Sequence, residues 1–131
     1  MDYEELIPKH KSDFETIERL KTSNIDEIKP IVEELLKWLQ DGHWEISRPL
    51  SQILKPHANE ISDSIIRILK SNDEEWKYYV IYSLLCKNKV LIKKEIRNEL
   101  VRIKESPTRS EIENEVQEIA MSALEKHPPP N

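Results

Sequence analysis

The sequence predicts an all-α fold, with about seven helices packed in antiparallel pairs. First, the composition favours helix, because 37% of the residues are hydrophobic, 34% are charged and glycine occurs once in 131 residues. Second, apolar residues recur at helical spacing in successive blocks. Third, a polar or proline-containing turn bounds each block, and such short connections predict neighbouring helices that stack side by side as an α-solenoid.

These blocks define one domain, since a chain of 131 residues has the size of a single core. We assign residues 1–127 to one helical domain and residues 128–131 to a short proline-rich tail. The predicted helices cover about 13–21, 24–40, 44–55, 59–70, 73–85, 91–104 and 108–124.

Three of these helices begin with recognisable capping residues. Asn24 stands three residues before Glu27, and Thr108 stands three residues before Glu111, which is the spacing of a capping box. Asp73 is a predicted N-cap for the fifth helix. Capping accounts for these residues without any functional role.

A weak internal repeat supports the stacked arrangement. Residues 36–44 contain an apolar helix end, an acidic turn and then Trp44, and residues 68–76 repeat this order up to Trp76. The offset of about 32 residues suits helical-hairpin repeats, so the sequence predicts a HEAT-like α-α superhelix.

Charge and apolar content limit the classes of function. The net charge of −5 argues against a general nucleic-acid binder, which relies on many basic contacts to phosphate. The acidic N-terminus is followed by no apolar segment, and no apolar run approaches the roughly 20 residues that a membrane span needs. We therefore expect a cytoplasmic protein with no membrane partner. The single cysteine, Cys86, lies in an apolar run and is predicted to be buried and structural.

The densest cluster of functional side chains is residues 38–44, where two tryptophans flank Asp41 and His43. An Asp-His pair could orient a general base. No nucleophile motif or phosphate-binding glycine loop accompanies it, so we favour a helix cap at Asp41 and tryptophans that close the core. The four histidines lack the close spacing of a metal site, and no metal or cofactor is predicted.

A second cluster covers residues 73–79. Trp76 and Val80 are predicted to share the inward face of the fifth helix, which leaves Lys77 and Tyr78 as candidates for an exposed surface that contacts a partner. The alternative is that Tyr78 and Tyr79 only cover neighbouring helices.

A third feature is the basic stretch 87–104, which carries seven basic and two acidic residues in a chain that is acidic overall. Such asymmetry could guide an acidic protein or a phosphate-bearing ligand to one side. A solvated helix face explains it equally simply, and we favour that interpretation.

Three separated motifs point to a family. They are Trp38-Leu39-Gln40-Asp41 with Trp44, Asp73 with Trp76-Lys77-Tyr78, and Arg102-Ile103 with Pro107-Thr108 and Glu111. With these motifs the sequence resembles a family of small, uncharacterised bacterial domains with a HEAT-like fold. The resemblance implies a bacterial cytosolic protein with an α-α superhelix, and it implies no known activity. That family carries Asn-Trp-Pro where this chain has His43-Trp44-Glu45, which argues against catalysis at His43.

The leading functional hypothesis is a non-catalytic protein-protein interaction module, because stacked helix pairs present a broad face and no complete catalytic constellation is present. One concrete form is an immunity-type inhibitor that neutralises a basic toxin. The alternative is a nucleic-acid or nucleotide-binding repeat that uses residues 87–104. An enzyme built on the Asp-His pair ranks third. The identity of the protein partner and the oligomeric state stay open. The candidate partner-binding residues are Asp41, His43, Trp44, Trp76, Lys77 and Tyr78.

Overall fold

The computed structural model describes residues 3–127, and within that range every regular element is a helix. The all-α prediction is therefore confirmed. The predicted tail at 128–131 lies outside the described residues. The α-helices are α1 (Phe14–Lys21), α2 (Ile25–Ile28), α3 (Val32–Leu36), α4 (Ser47–Leu54), α5 (Ser62–Leu69), α6 (Glu74–Val80), α7 (Lys94–Glu105), α8 (Arg109–Glu113) and α9 (Val116–Lys126).

Shorter helical turns extend several of these elements. A π-helical turn at Ile81–Leu85 continues α6 without a break. Turns of 3-10 helix occupy Tyr3–Leu6, Lys29–Ile31, Lys37–Leu39 and Lys55–His57. The α6 helix and its π-helical turn together are called the α6–π arm below.

The structure divides two of the predicted helices. The second predicted helix is split into α2 and α3 by a 3-10 turn that contains Pro30, because proline cannot donate a backbone hydrogen bond inside a helix. The seventh is split into α8 and α9 at Glu115, whose φ of 64° lies in the left-handed region. Each division is a local break within a predicted block.

The predicted caps at Asn24, Asp73 and Thr108 are confirmed. Asn24 and Glu27 form a capping box at α2, and Thr108 and Glu111 form another at α8. The Asp73 carboxylate accepts a hydrogen bond from the backbone N–H of Trp76 at 3.1 Å. These helix starts are encoded by residues three positions apart, so no tertiary contact is needed to specify them.

Packing joins elements that lie about one predicted repeat apart. The Ile46 N–H donates to the Lys11 carbonyl at 3.1 Å, and the Asn88 amide donates to the carbonyl of Lys55 at 2.9 Å. The amide of Asn59 donates to the Leu91 carbonyl at 3.0 Å, across 32 residues. The α6–π arm contacts α4 on one side and α9 on the other, while α7 packs against both α5 and α9.

The core is continuous through these layers and consists mainly of leucine and isoleucine. Cys86 is 8% exposed, which confirms the prediction that it is buried. Among residues 3–127, no helix is long and apolar enough to cross a membrane.

The end of α9 is attached to the core by a buried histidine. His127 is 1% exposed, its Nδ1 accepts a hydrogen bond from the Ile92 N–H at 3.4 Å, and its Nε2 lies 2.8 Å from the Leu85 carbonyl. Because the backbone N–H can only donate, Nδ1 is the acceptor and Nε2 carries the proton. This neutral ring therefore ties the C-terminal turn to the end of the α6–π arm and to the loop before α7.

Candidate functional site

A groove of about 460 Å³ lies between α4 and the α6–π arm. We call it the basic groove, because three of its lining side chains are cationic and none is a carboxylate. The remaining lining residues are small, polar or aromatic. The groove is lined by Gly42, Ser47, Arg48, Ser51, Gln52, Lys55, Tyr79, Tyr82, Ser83, Cys86 and Lys87.

The basic groove collects cations that have no internal counter-ion. Arg48 and Lys55 extend from α4 and its 3-10 extension, and Lys87 follows the α6–π arm. Among the described residues, no carboxylate oxygen lies within 4.0 Å of the charged nitrogens of these three side chains. The groove therefore presents unneutralised positive charge to solvent, although the chain as a whole is acidic.

Cys86 lies beside two of these cations. Burial raises the pKa of its thiol, and the charges of Lys55 and Lys87 oppose that rise. The thiol also lies 3.9 Å from the Ile119 carbonyl oxygen, a distance that suits a weak sulfur hydrogen bond. Because burial is the larger effect, the thiol stays protonated and behaves as a packed side chain.

The wall formed by the α6–π arm has an irregular backbone. The arm changes from α-helical to π-helical hydrogen bonding at Ile81, and single π-helical turns of this kind often accompany functional sites. Lys87 then adopts a φ of 57°, in the left-handed region that disfavours a residue with a Cβ atom. The π-helical turn ends at Leu85, two residues before Lys87, one of the three groove cations.

Tyr79 and Tyr82 line the groove, and Tyr78 packs against both of them; we call these three residues the tyrosine rim. The rings of Tyr78 and Tyr82 are stacked, with centroids 6.3 Å apart, and those of Tyr78 and Tyr79 meet edge to face at 5.5 Å. Tyr82 is 55% exposed, an unusual position for a large aromatic side chain. The rim thus offers a preorganised aromatic surface to a ligand.

Asp41 and His43 lie next to the rim through Tyr79. The His43 Nδ1 is 3.1 Å from the Asp41 carboxylate and 3.3 Å from the Tyr79 hydroxyl. In a catalytic relay the acid and the nucleophile bind different ring nitrogens, whereas here both neighbours face the same nitrogen. This arrangement differs from a catalytic relay.

Local charge around this cluster is acidic. A hydrogen bond from the His43 N–H lowers the pKa of Asp41. Burial raises the pKa of Tyr79, and the negative charges of Asp41 and Glu75 raise it further. One end of the basic groove is therefore bounded by carboxylates.

Asp41 does not cap a helix, so that expectation is wrong. Its carboxylate accepts from the backbone N–H of His43 at 2.8 Å, two residues on, and α4 begins only at Ser47. Asp41 instead closes a tight turn, as aspartate does when its side chain bonds to a nearby backbone amide.

The two predicted tryptophans act mainly as packing groups. Trp44 meets Trp38 edge to face, with ring centroids 5.4 Å apart. The indole N–H of Trp76 donates to the Leu36 carbonyl at 2.8 Å, which satisfies the end of α3. Both side chains are half-buried, and neither lines the basic groove.

Lys77 is buried, so the expectation of an exposed, partner-facing side chain is wrong. It is 3% exposed, and its ammonium lies 2.9 Å from Glu74 and 3.0 Å from Glu111. Val80 and Ile81 are fully buried three and four residues later, so Lys77 lies on the core-facing stripe of α6. Tyr78, its neighbour, is half-buried and belongs to the tyrosine rim.

Glu111 is the centre of a buried ionic cluster. Burial opposes its ionisation, but hydrogen bonds from Arg102, the Thr108 N–H and Lys77 outweigh this and lower its pKa from 4.5 to about 2. The Arg102 guanidinium binds both carboxylate oxygens, at 2.6 and 3.0 Å. The cluster links α6, α7 and α8, so these charges serve the fold.

The basic stretch 87–104 is not a single surface. Arg97 donates to the His127 carbonyl at 3.2 Å, and Arg102 belongs to the ionic cluster. Lys87 alone among these basic residues lines the basic groove. No group of three or more His, Cys, Asp or Glu side chains within residues 3–127 could hold a metal ion.

The sequence interpretation missed Arg48, Lys55 and Tyr82. Arg48 and Lys55 are seven residues apart, a spacing that places two side chains on the same face of a helix. That signal could have identified a basic stripe on α4. Only the packing of α4 against the α6–π arm shows that Tyr82 faces this stripe.

The fold and the site together define an all-helical domain with an open basic groove and an aromatic rim. The model of a family described as a domain of unknown function, DUF5071, matches residues 6–124, and the chain belongs to this family. The resemblance to an uncharacterised family is thus confirmed. The comparison with curated proteins returned no match.

The single glycine, Gly42, permits the close approach of the tyrosine rim. A Cβ atom at this position would overlap the ring of Tyr79. We therefore expect Gly42→Ala to displace Tyr79 and to destabilise the fold by about 1 to 3 kcal/mol, the usual range for overpacking. Urea unfolding measures the free energy, and tyrosine fluorescence or ring NMR shifts report the displacement. An alanine variant with unchanged stability and unchanged Tyr79 resonances would show that the ring adapts freely.

Proposed function

We propose that this chain is a non-catalytic protein-protein interaction module that binds its partner through the basic groove and the tyrosine rim. The observation that carries the proposal is the exposure of Tyr82 in a stacked aromatic cluster beside an open groove. Exposed, preorganised tyrosines are typical anchors of protein interfaces. His43 contacts the Tyr79 hydroxyl of the rim, and Asp41 in turn contacts His43.

The proposed scaffold is a HEAT-like α-α superhelix of antiparallel helix pairs in a bacterial cytoplasmic protein. Hydrogen bonds across 32 and 33 residues support it, because elements that contact their equivalents one repeat later are the basis of a solenoid. In such a scaffold, α4 and the α6–π arm occupy equivalent places in successive repeats. The groove is then the seam between two repeats.

A nucleic-acid or nucleotide ligand is the second candidate. It is favoured by the same three cations beside tyrosines, since single-stranded nucleic acid binds where basic side chains adjoin aromatic rings. The net charge of −5 and the internal use of Arg97 and Arg102 argue for a protein partner instead. An immunity-type inhibitor is another form of an interaction module, in which a basic toxin would bind the acidic surface outside the groove instead of the groove itself.

We expect the double substitution Tyr78→Ala/Tyr82→Ala to abolish recovery of the partner while leaving the fold intact, because Tyr82 is exposed and Tyr78 is only half-buried. The measurement is affinity capture from the native host with tagged wild-type and variant proteins, followed by mass spectrometry and nucleic-acid sequencing. A loss of about 2 kcal/mol or more in binding is typical when interface aromatics are removed.

The matched control is Ile112→Ala/Met121→Ala, which removes two apolar side chains that are 53% and 42% exposed but lie away from the groove. A protein recovered by the wild type and the control, and lost in the tyrosine variant, supports the proposal. Equal recovery by all three proteins would remove the tyrosine rim from the binding surface.

A further inference from the structure

The three groove cations are unpaired, in contrast to the cations of the ionic cluster around Glu111. Lys77 and Arg102, for example, are each paired with two carboxylates. Arg48, Lys55 and Lys87 have no such partner among residues 3–127, although acidic residues outnumber basic ones in the sequence. Like charges held close together repel one another, so their convergence on one cavity favours an anionic ligand.

Neutral donors add to the positive charge. Ser47 lines the groove and is 2% exposed, yet its hydroxyl has no hydrogen-bond partner within the described chain. The Ser51 hydroxyl, by contrast, donates to the Arg48 carbonyl at 2.7 Å. A hydroxyl that lines the groove and has no internal partner is available to an acceptor atom placed there.

The surroundings limit the length of the anion. At the Gly42 end, the Asp41 carboxylate lies 3.1 Å from His43 Nδ1, which lies 3.3 Å from the Tyr79 hydroxyl, and Glu75 stands one helical turn before Tyr79 on α6. A long polyanion that continued past this end would meet both carboxylates. The basic groove therefore suits a short run of negative charge that ends at the tyrosine rim.

We propose that the basic groove binds a short acidic peptide segment of the partner protein, with Arg48, Lys55 and Lys87 paired to its carboxylates. This inference rests on the proposed interaction function and names the chemistry of the partner. The Arg48 guanidinium can bind a carboxylate through two parallel hydrogen bonds, while each lysine acts as a point charge. Tyr82 then packs on an apolar or aliphatic part of the same segment.

A peptide fits these features better than a small anion or a nucleic acid. Sites for small molecules usually enclose most of the ligand surface, whereas Arg48, Tyr82 and Lys87 are exposed along an open groove. A nucleic-acid strand carries charge along its whole length, which the carboxylates at the Gly42 end oppose.

The test measures binding of a fluorescein-labelled octaglutamate peptide by fluorescence anisotropy. We expect the triple substitution Arg48→Gln/Lys55→Gln/Lys87→Gln to weaken binding by about tenfold or more, because it removes every cation of the groove. The charge-matched control is Lys29→Gln/Lys70→Gln/Lys126→Gln, at exposed lysines that neither line the groove nor form ion pairs in the described chain. Its affinity should stay within about twofold of the wild type. Circular dichroism and thermal unfolding verify that both variants fold.

Three outcomes would overturn the inference. Equal weakening by both triple variants would mean diffuse attraction to net charge, without a site. Tighter binding of an oligothymidylate of the same charge would assign the groove to nucleic acid. Absence of octaglutamate binding to the wild type would exclude acidic peptides, whereas capture of a partner that depends on Tyr78 and Tyr82 would still uphold the interaction function.

Discussion

Replacing Glu111 with alanine is expected to lower the free energy of unfolding by about 3 to 5 kcal/mol, the range observed when one member of a buried ion pair is removed. The Glu111 side chain is fully buried and binds both Arg102 and Lys77. Its removal leaves the Lys77 ammonium, itself 3% exposed, with Glu74 as its remaining partner. It also deletes one half of the Thr108 capping box. Urea unfolding followed by circular dichroism measures the change.

Glu113→Ala is the matched control for this effect. Glu113 lies on the same short helix and pairs with Arg109, but its side chain is 60% exposed and that of Arg109 is 91% exposed. Such surface pairs contribute about 0 to 1 kcal/mol. A similar loss of unfolding free energy in Glu111→Ala and Glu113→Ala would show that the buried ionic cluster contributes no more to stability than a surface ion pair.

The Glu111 carboxylate should also make the free energy of unfolding depend on pH. The folded-state pKa of Glu111 is about 2, below the ordinary value of 4.5 that applies to the unfolded chain. Its contribution is therefore fully present above pH 4.5 and is lost as the pH falls towards 2. The difference between the two values corresponds to about 3 kcal/mol at neutral pH.

Comparison with Glu111→Ala isolates this contribution from those of other carboxylates, such as Asp13 and Asp41. The free energies of the wild type and the variant should converge between pH 4.5 and 2. A difference in free energy of unfolding between the two proteins that stays constant over this pH interval would show that Glu111 is not held ionised by its neighbours.

The capping residues show what the sequence can specify directly. Asn24 with Glu27, and Thr108 with Glu111, satisfy backbone groups only three positions away. Local chemistry of this kind needs no knowledge of tertiary packing, so these helix starts were predictable to the residue. The apolar periodicity likewise gave the helical blocks, because it is a property of one element at a time.

Lys77 shows where such reasoning fails. Its burial depends on Glu111, which lies 34 residues further along the chain. The apolar residues Val80 and Ile81 did place Lys77 on the inward face, but a lysine there is tolerated only when a carboxylate meets it. Since the ion pair between Lys77 on α6 and Glu111 on α8 cannot be recognised from either segment alone, the sequence predicts an exposed lysine.

The basic groove was missed for the same physical reason. Arg48 and Lys55 lie on α4 and its 3-10 extension, whereas Tyr82 belongs to the α6–π arm and Lys87 follows it. In the sequence, the residues of either wall look like an ordinary solvated helix face. The site exists because the two elements lie side by side, so the candidate residues near Tyr78 were found in the sequence and those of α4 were not.

His127→Ala is expected to reduce the free energy of unfolding by about 3 kcal/mol, because it leaves two buried backbone groups without partners and opens a cavity. The Ile92 N–H and the Leu85 carbonyl both lose the imidazole that now bridges them, at 3.4 and 2.8 Å. Hydrogen exchange of the Ile92 amide gives a local readout beside urea unfolding, and it should accelerate in the variant.

His57→Ala is the control, since that ring is 35% exposed and pairs with Glu60 at the surface. If Ile92 exchanged at the wild-type rate in the His127 variant, another group would have to satisfy its amide, and the imidazole would not be what holds the end of α9. An accelerated rate would instead show that one neutral imidazole joins the α6–π arm, which forms a wall of the basic groove, to the C-terminal helix.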